Sequence, residues 1–420
     1  MTEKHLRIGF VSTRFSGTDG VSLETEKWVN ILEHLGHKCF YFAGESDRPP
    51  DRTHLVPEAH FKHPSVEALT DELFQATKRS ALTSQMVQSL KDHLRAHIEE
   101  FVGQFMLDLL IVENALSLPV NIPLGLALTE FIAAENFPTI AHHHDFSWER
   151  KRFAVGVAGD YLRTAFPPYL PSIRHVVINS FAVRQLALRT GASSMLVPNV
   201  MDFDSPPPPA DDVTDRMRAE LGLGEKDHIL LQPTRVVPRK RIELAIELTR
   251  RLDSGCVLIV SHAAGDEGSG YEKHLRDYAR LIGVRVLFAS KEFGHERHLD
   301  DSGRQVFSLA DAFSQADLVT YPSTVEGFGN AFLETIYHRR PIVISTYEIF
   351  KTDIQPKGFR VIGFDDFISD YTVGQALAVL QDPDMSAQMA EHNYNLGRRF
   401  YSFHTLERNL VSLLGETMGM

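Results

Sequence analysis

The chain reads as an α/β protein made of two Rossmann-like, doubly wound parallel-sheet domains, and three observations predict this. Short apolar runs alternate with amphipathic stretches along all 420 residues, the pattern of strand and crossover helix. That length exceeds what a single core usually supports. A run of prolines, Pro206 through Pro209, interrupts the alternation near the middle and joins neither sheet.

The first series opens with the strand Leu6–Ser12 and a helix from about Val21 to Leu35, stopped by Gly36. Strands follow at Lys38–Ala43, Leu107–Val112, Thr139–His144 and His175–Ile178. Between them, residues 63 to about 104 read as amphipathic helices, including the polar stretch Ala76–Ser80. The second series restarts at Ile229 and continues through Cys256–Ser261, Val284–Phe288, Leu318–Tyr321 and Pro341–Ser345, ending in helices after Thr372. The expected boundaries are therefore 1–204 for the first domain, 205–212 for a stiff linker and 213–394 for the second domain.

A net charge of −12 argues against nucleic acid as a partner. Anion sites must then be local. The segment Met1–His5 leads straight into a strand, with no room for a signal peptide, and no apolar run reaches the 18 residues of a membrane span. The expectation is a cytoplasmic protein without a transmembrane segment, with peripheral membrane contact left open. Cys39 and Cys256 fall in separate apolar strands and read as reduced core residues.

The most informative segment is Glu326–Glu334, in which two carboxylates flank Gly327, Phe328, Gly329 and Asn330 at a strand-to-helix junction. Amides at such a junction approach an anion without a Cβ in the way, and the helix end adds partial positive charge. A diphosphate fits there. Glu334 lies too far into the helix to cap it and is free to accept from vicinal sugar hydroxyls, while Glu326 in the loop meets a transferred sugar.

A second anion signal is Arg239, Lys240 and Arg241 beside a helix start near Pro238, with Arg235 just before it. Cations on a first turn oppose the macrodipole unless an anion occupies the end. Residues just after strands are the ones that face ligands in such sheets. They include the loop from Arg14 through Ser16 to Gly20 and Val21, and the run His142-His143-His144-Asp145 leading to Arg150. On a strand His142 and His144 share a face and His143 points away. The run lacks third and fourth metal ligands, so no metal is expected. A core histidine satisfied by a carboxylate is the competing reading of His144.

Glu326 through Glu334 resembles the E-x(7)-E signature of retaining glycosyltransferases of family 4, which have the GT-B fold of two Rossmann-like domains facing across a cleft. That resemblance implies a metal-independent, cofactor-free enzyme. It moves a sugar from a UDP-, GDP- or ADP-sugar to a hydroxyl acceptor, keeping the α configuration. The acceptor is a small molecule, anionic or phosphorylated, or a saccharide. Arg235 and Lys240 match the cation pair that neutralises the diphosphate, with Arg239 and Arg241 turned to solvent. His144 matches the strand-end histidine that hydrogen-bonds the transferred sugar, and with Arg235, Lys240 and Glu326 makes the catalytic set. Gly20 and Val21, with Phe328, Gly329, Asn330 and Glu334, hold the donor. Arg14, Ser16, His142, Asp145 and Arg150 line the acceptor side. The last helix, about 395–420, packs back on the first domain. Ser261-His262-Ala263-Ala264-Gly265 departs from the family's usual Gly-x-Gly. A non-catalytic nucleotide-sugar-binding protein and a nucleotide-sugar epimerase of the same fold stay open as alternatives.

Overall fold

The computed structural model describes residues 5–17, 19–252, 255–264 and 269–419. Thr18 of the first loop and Gly265 of the Ser261–Gly265 loop lie outside them. The chain divides into two compact units, 1–199 with 404–420, and 200–403.

The first unit holds seven strands: β1 (Arg7–Val11), β2 (Lys38–Ala43), β3 (Thr53–Leu55), β4 (Leu109–Glu113), β5 (Thr139–His143), β6 (Ile173–Val177) and β7 (Ser194–Leu196). They form one sheet in the order β3-β2-β1-β4-β5-β6-β7, and every pairing is parallel. β4 is buried along its whole length, as a strand covered on both faces must be, which is why it reads as a near-continuous apolar run. Phe101, Leu110, Leu128 and Phe131 belong to the core that helices Ala81–Phe105 and Ile122–Glu135 build on the sheet.

The second unit carries a parallel six-stranded sheet and a small three-stranded one. Its strands are β8 (His228–Gln232), β9 (Cys256–Val260), β10 (Val286–Phe288), β11 (Phe293–Gly294), β12 (His298–Leu299), β13 (Gln305–Ser308), β14 (Leu318–Tyr321), β15 (Ile342–Ser345) and β16 (Ile362–Phe364). The main order is β10-β9-β8-β14-β15-β16. Leu230, Leu258, Leu318 and Val343 form its core with Ile246 and Leu248 of the helix Ile242–Leu252. Both sheets therefore reverse their winding beside the strand that starts the unit, between β1 and β4 in one and between β8 and β14 in the other. Ligands of open α/β sheets sit outside the carboxyl ends of strands at such reversals.

The unit boundaries fall at 199/200 and 403/404, rather than at the proline run and near 394. Hydrogen bonds explain the shift. Met201 N–H donates to the Tyr401 carbonyl at 2.9 Å, Tyr394 Oη donates to the Phe203 carbonyl at 2.6 Å, and Arg398 meets Asp204 at 3.0 Å. These tie residues 201–204 to the helix Pro383–Tyr401. Neither cysteine forms a disulfide, and both are buried. No described helix is long and apolar enough to cross a membrane.

β2 ends against the turn Pro57–Ala59, and a Cβ on Gly44 would lie 2.0 Å from the His60 backbone nitrogen. Neither backbone yields cheaply. Gly44→Ala is expected to destabilise the chain by about 1–3 kcal/mol, read as a lowered urea midpoint with an unchanged slope.

Candidate active site

In the first unit the residues at the reversal converge on one carboxylate. Glu113 ends β4 fully buried, with Oε2 3.0 Å from His142 Nδ1 and 2.9 Å from His144 Nε2. β4 and β5 pair so that Glu113 lies opposite His142, and the pleat brings His144 to the same face. His143 points the other way, its Nε2 2.9 Å from His175 Nδ1. Asn114 follows with φ 58, a left-handed conformation uncommon outside glycine and suggestive of a functional constraint. Its side-chain oxygen accepts from the His144 and Asp145 amides at 2.8 and 3.3 Å, fixing the end of the histidine strand.

Charge divides this cluster. Burial pushes the Glu113 carboxyl up, but the charges and hydrogen bonds of His142 and His144 together outweigh it and hold the carboxyl at about 2. Burial lowers His142 despite Glu113. It also opposes charge on His144, where the Glu113 hydrogen bond and the Glu113, Glu24 and Asp145 charges together win and raise it. His144 is thus the more readily charged of the two imidazoles. Trp28 stacks on His142 with ring centroids 4.2 Å apart. Among the described residues, Glu24 Oε1, Trp28 Nε1 and His142 Nε2 are buried without hydrogen-bond partners. Orphaned polar atoms grouped at a strand end are where a ligand or ordered water belongs.

Glu113 also changes the metal reading. The histidine run alone lacks a third ligand, but Glu113, His142 and His144 bring ligand atoms within 4.8 Å of one another. Local sequence hides this because the carboxylate comes from the neighbouring strand.

The Gly20–Val21 reading is corrected as well. Asp19 caps the helix Gly20–His34, accepting from Val21 and Ser22 N–H at 3.1 and 3.3 Å. Its carboxylate already occupies the Val21 amide, one of the two expected to meet a phosphate. Arg14 lies 3.3 Å from that carboxylate, and Ser16 Oγ donates to Glu45. Asp145 pairs with Arg150 at 2.7 Å. The two cations on the acceptor side therefore already face carboxylates.

In the second unit, loops after β8 and β14 bring together side chains far apart in sequence. The Thr324 amide donates to the Arg239 carbonyl at 2.9 Å, and Lys240 Nζ donates to Glu326 Oε1. Both side chains are about nine-tenths buried. Arg239 lies 3.5 Å from the same carboxylate, so it turns inward rather than to solvent. Arg241 bonds the Asp366 carbonyl. Pro238–Lys240 is a 3-10 turn, Arg241 has φ 48, and the α-helix begins only at Ile242. The three cations thus precede the helix, and a carboxylate compensates them instead of an empty helix end. Arg235 is exposed.

Burial raises Glu326, but the charges of Lys240 and Arg239 outweigh it and keep the carboxyl below its ordinary range. Burial pulls Lys240 below its own. His262, after β9, is held at about 4 by burial and by the Lys240 and Arg235 charges. It is a neutral imidazole beside two cations, a residue that sequence reasoning left without a role. Gly329 has φ 119, and a Cβ there would meet Tyr347 Oη at 2.3 Å. Only glycine starts the helix Asn330–Tyr337 this way. Phe328 is buried against Tyr401, ring centroids 5.2 Å apart, and its carbonyl accepts from Tyr347 Oη at 2.7 Å. Its ring is core rather than a donor contact. Glu334 is half-buried in the helix's second turn. A separate cavity of about 300 Å³ lies among Pro208, Asp211, Arg297 and Asp311. Two carboxylates already neutralise the arginine there.

Residues 213–395 match the family described as Glycosyl transferases group 1. The chain is 32% identical over 438 residues to mannosylglucosylglycerate synthase of Thermotoga maritima, covering 96% of this chain and 98% of that protein. It is 31% identical to the enzyme of the same name from Petrotoga mobilis, covering 94% and 98%. Among solved structures, a glycosyltransferase from Rickettsia africae superposes with a TM-score of 0.70 at 11% identity, covering 99% of both chains. Anabaena HepE in complex with UDP-glucose superposes with a TM-score of 0.64 at 14% identity, covering 98% of this chain and all of that one.

The Glu113 pair gives a pH prediction. A depressed carboxyl stabilises the fold above its ordinary range near 4.5 and loses that stability as pH falls toward about 2. A raised imidazole stabilises it below 6.5 and loses that stability as pH rises through the raised value. Glu113→Gln is therefore expected to cost most, on the order of 3 kcal/mol, between about pH 5 and 6.5. The gap to wild type in denaturant midpoint should narrow at pH 3 and again at alkaline pH.

Proposed function

The chain belongs to the group 1 glycosyltransferase family, and from that premise we propose that it is a retaining enzyme that moves a mannosyl group from a nucleoside diphosphate sugar to a glucosylglycerate-type hydroxyl acceptor. The donor sugar and acceptor come from the products named in its full-length relatives. One observation carries the donor half, the buried Lys240–Glu326 pair with Arg239 beside it at the reversal of the second sheet. An ammonium kept desolvated is worth more to a developing phosphate charge than a solvated one.

In this reading Lys240 and Arg235 stabilise the departing diphosphate, and amides near Gly327 and Gly329 add to them. Glu326 positions Lys240 while the site is empty. Glu334 accepts from the ribose hydroxyls. In the first unit, His144 charged by Glu113 donates to a sugar hydroxyl, and Arg150 and Arg14 exchange their carboxylate partners for the acceptor's carboxylate. The bond from the anomeric carbon to the diphosphate oxygen breaks. The new bond forms to the acceptor oxygen, whose proton passes to the departing phosphate or to solvent. No residue in this scheme requires a metal ion.

The reading is tested by incubating the protein with UDP-, GDP- and ADP-mannose with and without glucosylglycerate. Nucleoside diphosphate release that depends on acceptor is expected with one of the three. Donor consumption without acceptor would instead indicate an epimerase or hydrolase, and binding without turnover a non-catalytic receptor.

Lys240→Ala and Arg235→Ala are each expected to lower kcat by about 10²-fold, the usual effect of deleting one preorganised charge-stabilising group. Wild-type turnover would remove that residue from the reaction. Activity is expected to persist in excess EDTA at a temperature well below unfolding. Its abolition, with rescue by Mg²⁺ or Mn²⁺, would contradict a mechanism that relies on protein cations.

A further inference from the structure

A second cluster of imidazoles and carboxylate lies on the first unit, where the edge strand β3 meets the helix Ala81–Phe105. His54 Nε2 is 3.2 Å from His97 Nδ1. Glu100 Oε2, one turn beyond His97, is 3.2 Å from that same Nδ1 and 3.9 Å from His54 Nε2. Three ligand atoms thus form a triangle with edges of 3.2, 3.2 and 3.9 Å. Zinc–nitrogen and zinc–oxygen bonds of about 2.0–2.1 Å place tetrahedral ligands about 3.3 Å apart, so one ion equidistant from the three fits with little adjustment.

The surroundings favour the ligating tautomer of His54, while the His97 Nδ1 hydrogen that meets His54 Nε2 must leave when an ion binds. His54 Nδ1 lies 3.1 Å from Gln104 Oε1, an oxygen that only accepts, so Nδ1 carries the hydrogen and Nε2 presents a lone pair to His97. An outer hydrogen bond of this kind orients metal-binding histidines generally. Phe42 stacks on the His54 ring, centroids 5.8 Å apart with the ring planes nearly parallel, which fixes its direction. His93, one turn earlier on the helix, packs edge-on against the His97 ring and faces Glu58 at 3.6 Å, outside the triangle. His54 is mostly buried, His97 half-buried and Glu100 exposed, so the triangle opens toward solvent and leaves a coordination position for water.

We propose that His54, His97 and Glu100 form a site for one borderline divalent transition-metal ion, Zn²⁺ being the type case, that clamps β3 to the helix Ala81–Phe105. Imidazole nitrogens select such ions over Mg²⁺ and Ca²⁺, which take oxygen ligands. β3 is three residues long and pairs only with β2. A bond from it to the helix links the sheet edge to the core. The site belongs to stability, and sugar transfer does not pass through it.

The test uses the full chain without a polyhistidine tag, stripped with chelator and dialysed. Calorimetric titration with Zn²⁺ is expected to show one ion per chain, and the melting temperature to rise with Zn²⁺ but not with Mg²⁺. His54→Gln and His97→Gln should each weaken Zn²⁺ binding at least about 10-fold. Gln104→Ala, which touches no ion, should weaken it about 10-fold. Circular dichroism and undiminished sugar transfer confirm that the variants are folded. Absence of a stoichiometric ion overturns the proposal. So does unchanged affinity in His54→Gln and His97→Gln, which would put the ion elsewhere, with Glu113, His142 and His144 the next candidates.

Discussion

The contact between Lys240 and Glu326 is the constraint around which the second unit is arranged. Desolvating two charges costs several kcal/mol each, and replacing such a pair by apolar residues is often neutral or stabilising. Its presence therefore calls for a reason beyond stability. The surroundings supply one. Arg239 shares the carboxylate, the Tyr321 ring lies 5.0 Å from the ammonium, and His262 is held neutral by burial and by the neighbouring cations. Positive charge exceeds negative at a strand end where the sheet reverses, an excess that the proposed diphosphate leaving group would match.

That arrangement dictates local geometry. The Thr324–Arg239 backbone bond brings the two loops together. Gly329 accepts a conformation closed to other residues so that Tyr347 can lie against the helix start. The buried chain from Thr320 through Gln232 to Thr234 ties β14 to β8 behind the pair. The first unit solves a parallel problem with different chemistry. There the buried carboxylate is Glu113 and its partners are imidazoles, one lowered by burial and the other raised by that carboxylate.

Legibility in the sequence followed the length and apolarity of each segment. β4, β8, β9 and β14 are buried runs of four or five residues and were read within two residues of their observed ends. β3, β7, β16 and the small sheet are two to four residues long and leave too little pattern to be seen. Glu326 and Lys240 stand out in the sequence because one is a carboxylate beside a glycine loop and the other belongs to a cation run read as a helix's first turn. Glu113 was missed because its partners lie on the next strand, and nothing within its own segment marks it. The Asp19 cap was missed although Asp before an amphipathic run signals a helix start.

The central claim is that cations stabilise a departing diphosphate while the acceptor enters on the same face of the sugar. Stereochemistry tests it most directly. Product formed from an α-configured nucleoside diphosphate mannose is analysed by NMR for the one-bond C1–H1 coupling of the transferred residue. The account predicts the α-linked product alone, and a β-linked product would contradict it.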